Sequence, residues 1–193
     1  IMKKIIIAVC LILPLLIIGI LFLTYWSSHN KLTKLDVACD TQLSEIDNML
    51  KRRADLVPNL VNTVKGYAKH EKEIFVAVAE ARAKIGSAKS VKEKSLASSM
   101  MDKALGRLLV VVEKYPDLKS IPQFAKLNDE IAGTENRIST ARTDFNDAVA
   151  QYNKTVRRFP NNILAGFFGF EKRSGFSASE GMENAPNLDA IYE

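Results

Sequence analysis

The closest approach to a metal-binding motif in this sequence is "HEKEI", residues 70–74. A zinc protease helix carries two histidines four residues apart, so that both imidazoles lie on one face beside a glutamate that acts as general base. Ile74 stands where the second histidine belongs, and the chain's other histidine is His29. A di-iron bundle requires Glu-x-x-His pairs, and Tyr67 occupies the position of the glutamate. The sequence therefore predicts neither a metal site nor a bound cofactor.

Charge, cysteine content and glycine spacing exclude further classes of protein. The 193 residues include 27 basic and 22 acidic side chains, and a net charge of +5 is too small to indicate nucleic-acid binding. Gly166 and Gly169 in "LAGFFGF" lack the spacing of a dinucleotide-binding loop and follow no strand pattern. Cys10 lies within a long apolar run and Cys39 beyond it, so we expect no disulfide between them. We predict a protein that is not an enzyme.

The densest charge cluster is the basic block "KRR" at 51–53, which lies within an apolar helical repeat. Arg53 falls on the apolar stripe, where an unpaired charge is costly. Glu135 lies on the stripe of a later helix, with Arg137 further round that helix. We predict that Arg52 or Arg53 pairs with Glu135 between helices and fixes their register, as a buried polar group can.

A second interpretation of the basic block is an anion site. Asp55 is a candidate helix cap, and Pro58 could lie in the first turn of a new helix, where its missing N–H costs nothing. The N-terminus of that helix, together with Arg52 and Arg53, would then attract an anion. If one helix instead continues through Pro58, the proline marks a kink.

Apolar residues recur every three or four positions almost throughout the chain beyond residue 30, which is typical of amphipathic helices. Ser90 followed by Glu93 has the pattern of a capping box. Short connections between long amphipathic helices favour antiparallel packing. We predict an all-α fold, an elongated up-down four-helix bundle over 30–160, with helices at 30–56, 58–86, 90–115 and 121–159. The last of these carries the cleanest stripe, which runs from Phe124 to Phe159.

Residues 1–29 have the features of an N-terminal membrane anchor, with a transmembrane helix at 5–26. Lys3 and Lys4 precede the apolar run, and Tyr25 and Trp26 end it, where their rings favour the headgroup region. The alternative is a cleaved signal peptide, but the run is longer than such peptides usually carry and no small-x-small site follows it. The two lysines favour a cytoplasmic N-terminus and an extracytoplasmic helical domain.

The C-terminal tail, 161–193, begins with a hydrophobic segment at 163–170 and then becomes polar. We predict that this segment contacts the membrane or a neighbouring subunit, because exposed aromatic patches usually mark interfaces. The alternative is that it caps the bundle's own core. The residues concerned are Ile163, Leu164, Phe167, Phe168 and Phe170.

Two blocks, "LKRRADLVPNLVNTVKGYAKHE" and "GTENRISTARTDFNDAVAQYNKTVRRFP", resemble the LemA family of bacterial membrane proteins. Their order after an N-terminal apolar run, and the final "MENAPNLD", extend the resemblance over nearly the whole chain. One departure is "ACDTQLSEIDNM", which lacks the tryptophan often found before the basic block. The resemblance implies a helical domain anchored in the inner membrane and specifies no reaction.

These observations lead to two expectations about function. The first is a non-enzymatic scaffold of the bacterial envelope that self-associates and has the lipid bilayer and other envelope proteins as partners. Some relatives of this kind are associated with membrane remodelling. The second is an accessory or sensor subunit that binds an anionic ligand or a protein through the basic block at 51–53.

Overall fold

The computed structural model describes residues 2–176, with side chains described for 12–20 and 22–176. This part of the chain contains helices and no strand, which confirms the predicted all-α class. The helices are α1 (Met2–Lys65), α2 (Lys72–Ser87), α3 (Val91–Lys114), α4 (Pro116–Lys119), α5 (Pro122–Arg157) and α6 (Asn161–Phe168).

The prediction of a helix end at residue 56 is wrong, because α1 continues through Pro58 to Lys65. Pro58 has no N–H, so the carbonyl of Ala54, four residues earlier, loses its partner within the helix. Arg82 of α2 replaces that partner, since its Nε donates to the Ala54 carbonyl oxygen at 3.1 Å. The chain turns instead at 66–71, starting at Gly66, a poor helix former.

The other helix boundaries follow signals in the sequence. The predicted capping box is present at the start of α3, where the Ser90 side chain accepts from the Glu93 N–H and the Glu93 carboxylate accepts from the Ser90 N–H. Both α4 and α5 begin with a proline, Pro116 and Pro122. The N–H of a first helical residue has no partner within the helix, so proline costs no hydrogen bond there.

Tertiary contacts divide the described chain into two units. The first unit contains residues 2–40 and 147–173, and the second contains 41–146 and 174–176. In the second unit, the C-terminal part of α1 packs with α2, α3 and the N-terminal part of α5 as a four-helix bundle. Its apolar core draws on all four, and includes Val57, Leu60, Phe75, Val78, Met101, Leu108, Phe124 and Ile131.

The predicted apolar stripe of the last long helix is buried over most of α5. The side chains of Ile131, Thr134, Ile138, Ala141, Phe145 and Tyr152 are all at most 7% exposed. Phe159 is the exception at 74% exposed, because α5 ends at Arg157 and Phe159 lies beyond its last turn. The stripe therefore predicts the buried face well but extends it one turn too far.

The first described stretch of α1 is apolar and uncovered. It contains a window long and apolar enough to cross a membrane. Its large apolar side chains between Ile12 and Trp26 are 46–68% exposed where they are described. Lys3 and Lys4 lie within α1, at positions whose side chains are outside the described part.

Candidate functional site

The second unit contains one nearly buried charge, Arg53, whose side chain is 4% exposed. Its Nη1 lies 2.5 Å from Asp102 Oδ1 on α3 and 2.6 Å from Glu135 Oε2 on α5. The structure thus brings Arg53 and Glu135 together, and it adds a second carboxylate that the sequence did not single out. One guanidinium joins three helices, which is the register-fixing geometry expected of a buried ion pair.

A second arginine completes this network from the side of α5. Arg142 donates through Nη2 to the Ser98 hydroxyl, and the same nitrogen lies 3.8 Å from Asp102 Oδ2. The group of two arginines and two carboxylates is therefore electrically neutral. Asp102 and Glu135 keep 30% and 38% of their side-chain surface exposed, so solvent still reaches their outer oxygens.

Three buried nitrogen and oxygen atoms in this network have no hydrogen bond within the described chain. They are Arg53 Nε, Arg142 Nε and Glu135 Oε2. The contact of Glu135 Oε2 with Arg53 is short but lacks hydrogen-bond geometry, so we treat it as an ion pair. The ion pairs of the network join α1, α3 and α5, so the arrangement serves to pack these helices together.

The remaining predicted residues of the polar network lie outside it. Arg52 forms a surface pair with Glu130 at 3.1 Å, and its side chain is 49% exposed. Asp55 is 79% exposed and lies 4.0 Å from Arg82, so it caps no helix. Arg137 is exposed, and no ion pair joins it to the described network.

The anion site proposed for the basic block lacks the helix N-terminus that it would require. α1 is unbroken at Pro58, so no helix N-terminus exists there to supply free N–H groups. Arg52 and Arg53 are already paired with carboxylates, which leaves Lys51 as the exposed cation of the block without an assigned partner in the described part.

The first unit contains a second cluster, formed where the chain returns after α6. Arg173 donates through Nε to Asp36 at 2.7 Å and through Nη1 to Asp40 at 2.5 Å. The hydrogen bond to Asp40 is the main cause that raises the pKa of Arg173, so this guanidinium is permanently charged. It also lies over the Tyr152 ring, 5.8 Å from the centroid. The segment after α6 is thereby fixed to α1.

Asn153 holds the backbone of the same segment. Its side-chain amide donates to the Arg173 carbonyl at 2.9 Å and accepts from the Arg173 N–H at 3.0 Å. Tyr152 donates its hydroxyl proton to the Glu171 carbonyl at 2.8 Å, and burial raises the pKa of this hydroxyl. Burial likewise raises the pKa of the Cys39 thiol, which lies nearby in the core.

In the second unit, Asn146 repeats this arrangement. It donates to the Phe176 carbonyl at 3.1 Å and accepts from the Phe176 N–H at 2.7 Å. The Phe176 ring is buried, with the Arg142 guanidinium 5.2 Å from its centroid. A Cβ on Gly175 would lie 2.9 Å from Asn146 Oδ1, so the close approach requires glycine. The tail is therefore bound as an extended segment as far as residue 176.

Some side chains of the hydrophobic segment at 163–170 are partly buried, and others are exposed. Phe168 packs edge-on against Tyr25 and His29, with ring centroids 4.9 and 4.7 Å apart, and Phe170 lies 6.1 Å from His29. Leu164, Phe168 and Phe170 are half-buried. Ile163 and Phe167 are 54% and 83% exposed.

An open groove of about 620 Å³ in the second unit lies between the start of α2 and the end of α3. It includes the "HEKE" residues examined as a metal motif, and both signs of charge line it. Within the described residues, no three His, Cys, Asp or Glu side chains are placed to hold a metal ion. The groove thus offers no converging donor set.

Comparison with known proteins finds a family and several relatives. The model of the LemA family matches residues 42–189. "Magnetosome protein MamQ 2" of Paramagnetospirillum magneticum is 30% identical over 165 residues, which cover 71% of this chain and 61% of that protein. "Magnetosome protein MamQ" of Magnetospirillum gryphiswaldense is 28% identical over 155 residues, with 67% and 57% covered.

A third relative is "Protein LemA" of Metamycoplasma hominis, 25% identical over 167 residues, with 86% of this chain and 76% of that protein covered. The chain spans about three fifths of the length of the MamQ proteins that it matches. The family match includes both blocks that carried the resemblance in the sequence. The chain belongs to the LemA family.

Proposed function

We propose that the chain is a non-enzymatic, single-span protein of the bacterial inner membrane whose helical part acts as a scaffold by associating with further copies of itself. The observation that carries this proposal is the exposed apolar stretch of α1, which continues as one helix into the four-helix bundle. Helices buried in a soluble core pass the same tests of length and composition, but their apolar side chains are covered.

Energetics favour a lipid environment for this stretch. Each large apolar side chain left in water forgoes on the order of 1.5–3 kcal/mol of burial energy. Between Ile12 and Trp26, 11 such side chains are at least 46% exposed. A bilayer covers them without any further protein, and about 20 helical residues suffice to cross its hydrocarbon.

Packing favours retention of the span over its removal as a signal peptide. Tyr25 and His29 contact the Phe168 ring, and Ser28 and Leu32 are buried in the first unit. Cleavage just after the apolar run would remove Tyr25 and leave Phe168 without one of its three aromatic neighbours, which are Tyr25, His29 and Phe170. Lys3 and Lys4 before the span favour a cytoplasmic N-terminus.

Self-association is supported by exposed apolar side chains on the bundle. Val76 on α2 and Leu96, Leu109 and Val110 on α3 are 43–56% exposed. Tethering many copies to one membrane raises their effective concentration, so weak contacts between such side chains become effective. Three matched relatives are named as magnetosome proteins, and a role in organising membrane is our own proposal for this chain.

Light scattering after gel filtration, together with negative-stain imaging of the full chain in detergent, tests the proposal. We expect a uniform assembly of several copies, reduced in size by Val110→Glu and unchanged by Ala132→Glu, a matched charge at another exposed helical position. A monomer under all conditions contradicts the scaffold. A monomer that grows only on addition of envelope extract instead supports the accessory-subunit function.

A further inference from the structure

The short helix α6 has a covered side and an exposed side. Ala165 is buried and Phe168 is half-buried. Ile163 and Phe167, by contrast, are 54% and 83% exposed. Residues four apart lie on one face of a helix, so Ile163 and Phe167 form a single apolar patch.

The covered side of α6 lies against one particular level of α1. Phe168 contacts Tyr25 and His29, which flank the end of the apolar run. Trp26 at the same level is 60% exposed, and its ring lies 6.1 Å from Phe22 within α1. If α1 spans a membrane, these aromatic rings mark the depth at which hydrocarbon gives way to headgroups.

Charges around α6 have the sign that suits phosphate. A shallow groove of about 450 Å³ at the end of α5 is lined by Lys154, Arg157 and Arg158 and by no acidic side chain. Arg157 and Arg158 are exposed and form no ion pair with the described residues. Cations next to a membrane span are attracted to the phosphates of lipid headgroups.

The geometry points to α6 as an interfacial helix that lies in the membrane surface, with Ile163 and Phe167 inserted below the headgroups and Arg157 and Arg158 at the phosphates. Amphipathic helices of this kind bury their apolar face about 5–10 Å into the boundary between headgroups and acyl chains. The inference rests on the membrane span of the proposed function.

Size and continuity favour lipid over a second copy as the occupant of this patch. A stable protein interface buries about 800 Å² on each partner, whereas two side chains on an 8-residue helix provide much less. The contact of Phe168 with Tyr25 also places α6 directly beside the exposed apolar surface of α1. A bilayer therefore covers α1 and α6 together.

Spin labels on the full chain in phosphatidylcholine and phosphatidylglycerol vesicles test this inference. We would attach one label at a time through Ile163→Cys, Phe167→Cys or Val37→Cys, in a chain whose native cysteines are alanine. Val37 is a matched control because it is 56% exposed in the same unit, 8 residues further along α1 than His29. Leu23→Cys reports the span itself.

For each label we would measure the ratio of its collision rate with dissolved oxygen to its collision rate with a water-soluble nickel complex. We expect this ratio to be several-fold higher for the labels at 163 and 167 than for the label at 37. Water-like accessibility at both positions overturns the inference. Spin–spin broadening with protection from both reagents also overturns it, since it indicates a second copy. If the label at 23 reports lipid while those at 163 and 167 do not, only this inference fails. If the label at 23 reports water, the proposed span fails as well.

Discussion

The hydrogen bond from Arg82 to the Ala54 carbonyl offers a direct test of how α1 tolerates Pro58. In an ordinary helix the N–H of residue 58 would occupy that carbonyl. Because Pro58 has no N–H, Arg82 on α2 supplies the missing donor at 3.1 Å. The cost of Arg82→Ala should therefore depend on the residue at position 58.

We expect Arg82→Ala to lower the free energy of unfolding by about 1 kcal/mol, the middle of the range for one hydrogen bond. Ala54 and Arg82 line the same open groove, so water can partly replace the lost donor and the cost stays near that of one hydrogen bond. Pro58→Ala restores the helical N–H and should stabilise the chain by on the order of 1–3 kcal/mol. In that background Arg82→Ala should cost less than about 0.5 kcal/mol.

Thermal unfolding of the four variants in detergent measures this coupling. For a chain of this length, about 1 kcal/mol corresponds to a shift of about 2–4 °C in Tm. Arg107→Ala is the matched control, an exposed arginine on α3 with no ion pair in the described part. Equal losses from Arg82→Ala in both backgrounds, within about 0.5 kcal/mol, would refute the role assigned to Arg82.

Three further predictions concern the two polar clusters and the start of α3. Arg53→Ala should lower the free energy of unfolding by about 3 kcal/mol, because it leaves two carboxylates facing each other. Arg52→Ala should change this free energy by less than about 1 kcal/mol. Urea denaturation of the two variants measures both changes. The hydrogen bonds from the Lys89 and Ser90 N–H groups lower the pKa of Glu93, so its contribution to stability is present above its unfolded pKa and is lost as pH falls through its folded pKa. The stability difference between the natural chain and Glu93→Gln should therefore shrink on acidification, and a difference independent of pH would contradict this. Arg173→Ala should speed maleimide labelling of Cys39 in a chain without the other cysteine, even though loss of this cation raises the thiol pKa further. Unchanged labelling at a pH that ionises the thiol in both chains would show that Arg173 does not shield Cys39.

Patterns with a fixed period are what the sequence reveals most clearly. The stripe on α5 predicts which side chains are buried because a helix repeats its faces every 3.6 residues. The same periodicity places Arg53 on the buried face, and burial of a charge then demands a carboxylate. The capping box of Ser90 and Glu93 could also be predicted, since it is a local pattern whose two partners lie three residues apart.

Partners supplied by long side chains from distant elements could not be predicted in this way. Asp102 and Arg142 join the Arg53 network through the packing of α3 and α5, which the sequence of either helix leaves open. The predicted helix end at residue 56 was wrong for the same reason. The donor that makes Pro58 tolerable comes from Arg82, which lies 24 residues after Pro58.

The asparagine side chains that bind the tail are indicated only weakly by the sequence. Asn146 and Asn153 are seven residues apart, so they share one face of α5. Each pairs both polar atoms of its side chain with a backbone N–H and carbonyl of an extended segment. A heptad spacing of asparagines beside an apolar stripe is the signal that could have indicated such a segment.

Most arginines near the described cores already contact acceptors of the same chain, and this limits where an anionic ligand can bind. A guanidinium has five donors in a fixed plane and can bridge several acceptors at once. Arginines near the described cores contact carboxylates or a backbone carbonyl of the same chain, and these are Arg52, Arg53, Arg82, Arg142 and Arg173. These contacts stabilise helix packing and the bound tail, and each of them would compete with an anion for the same guanidinium.

The surfaces left for interaction are of two other kinds. One consists of exposed apolar side chains on α1, α2, α3 and α6, and the other of cations at the end of α5. Neither kind of surface arranges a nucleophile, a base and an oxyanion donor around one point, which a reaction would require. Apolar patches and cations next to an apolar helix are instead suited to lipid and to further copies of the chain. The polar residues that stand out in the sequence thus hold the helices and the tail together, whereas the surfaces that we propose for interaction consist of apolar side chains and of cations at the end of α5.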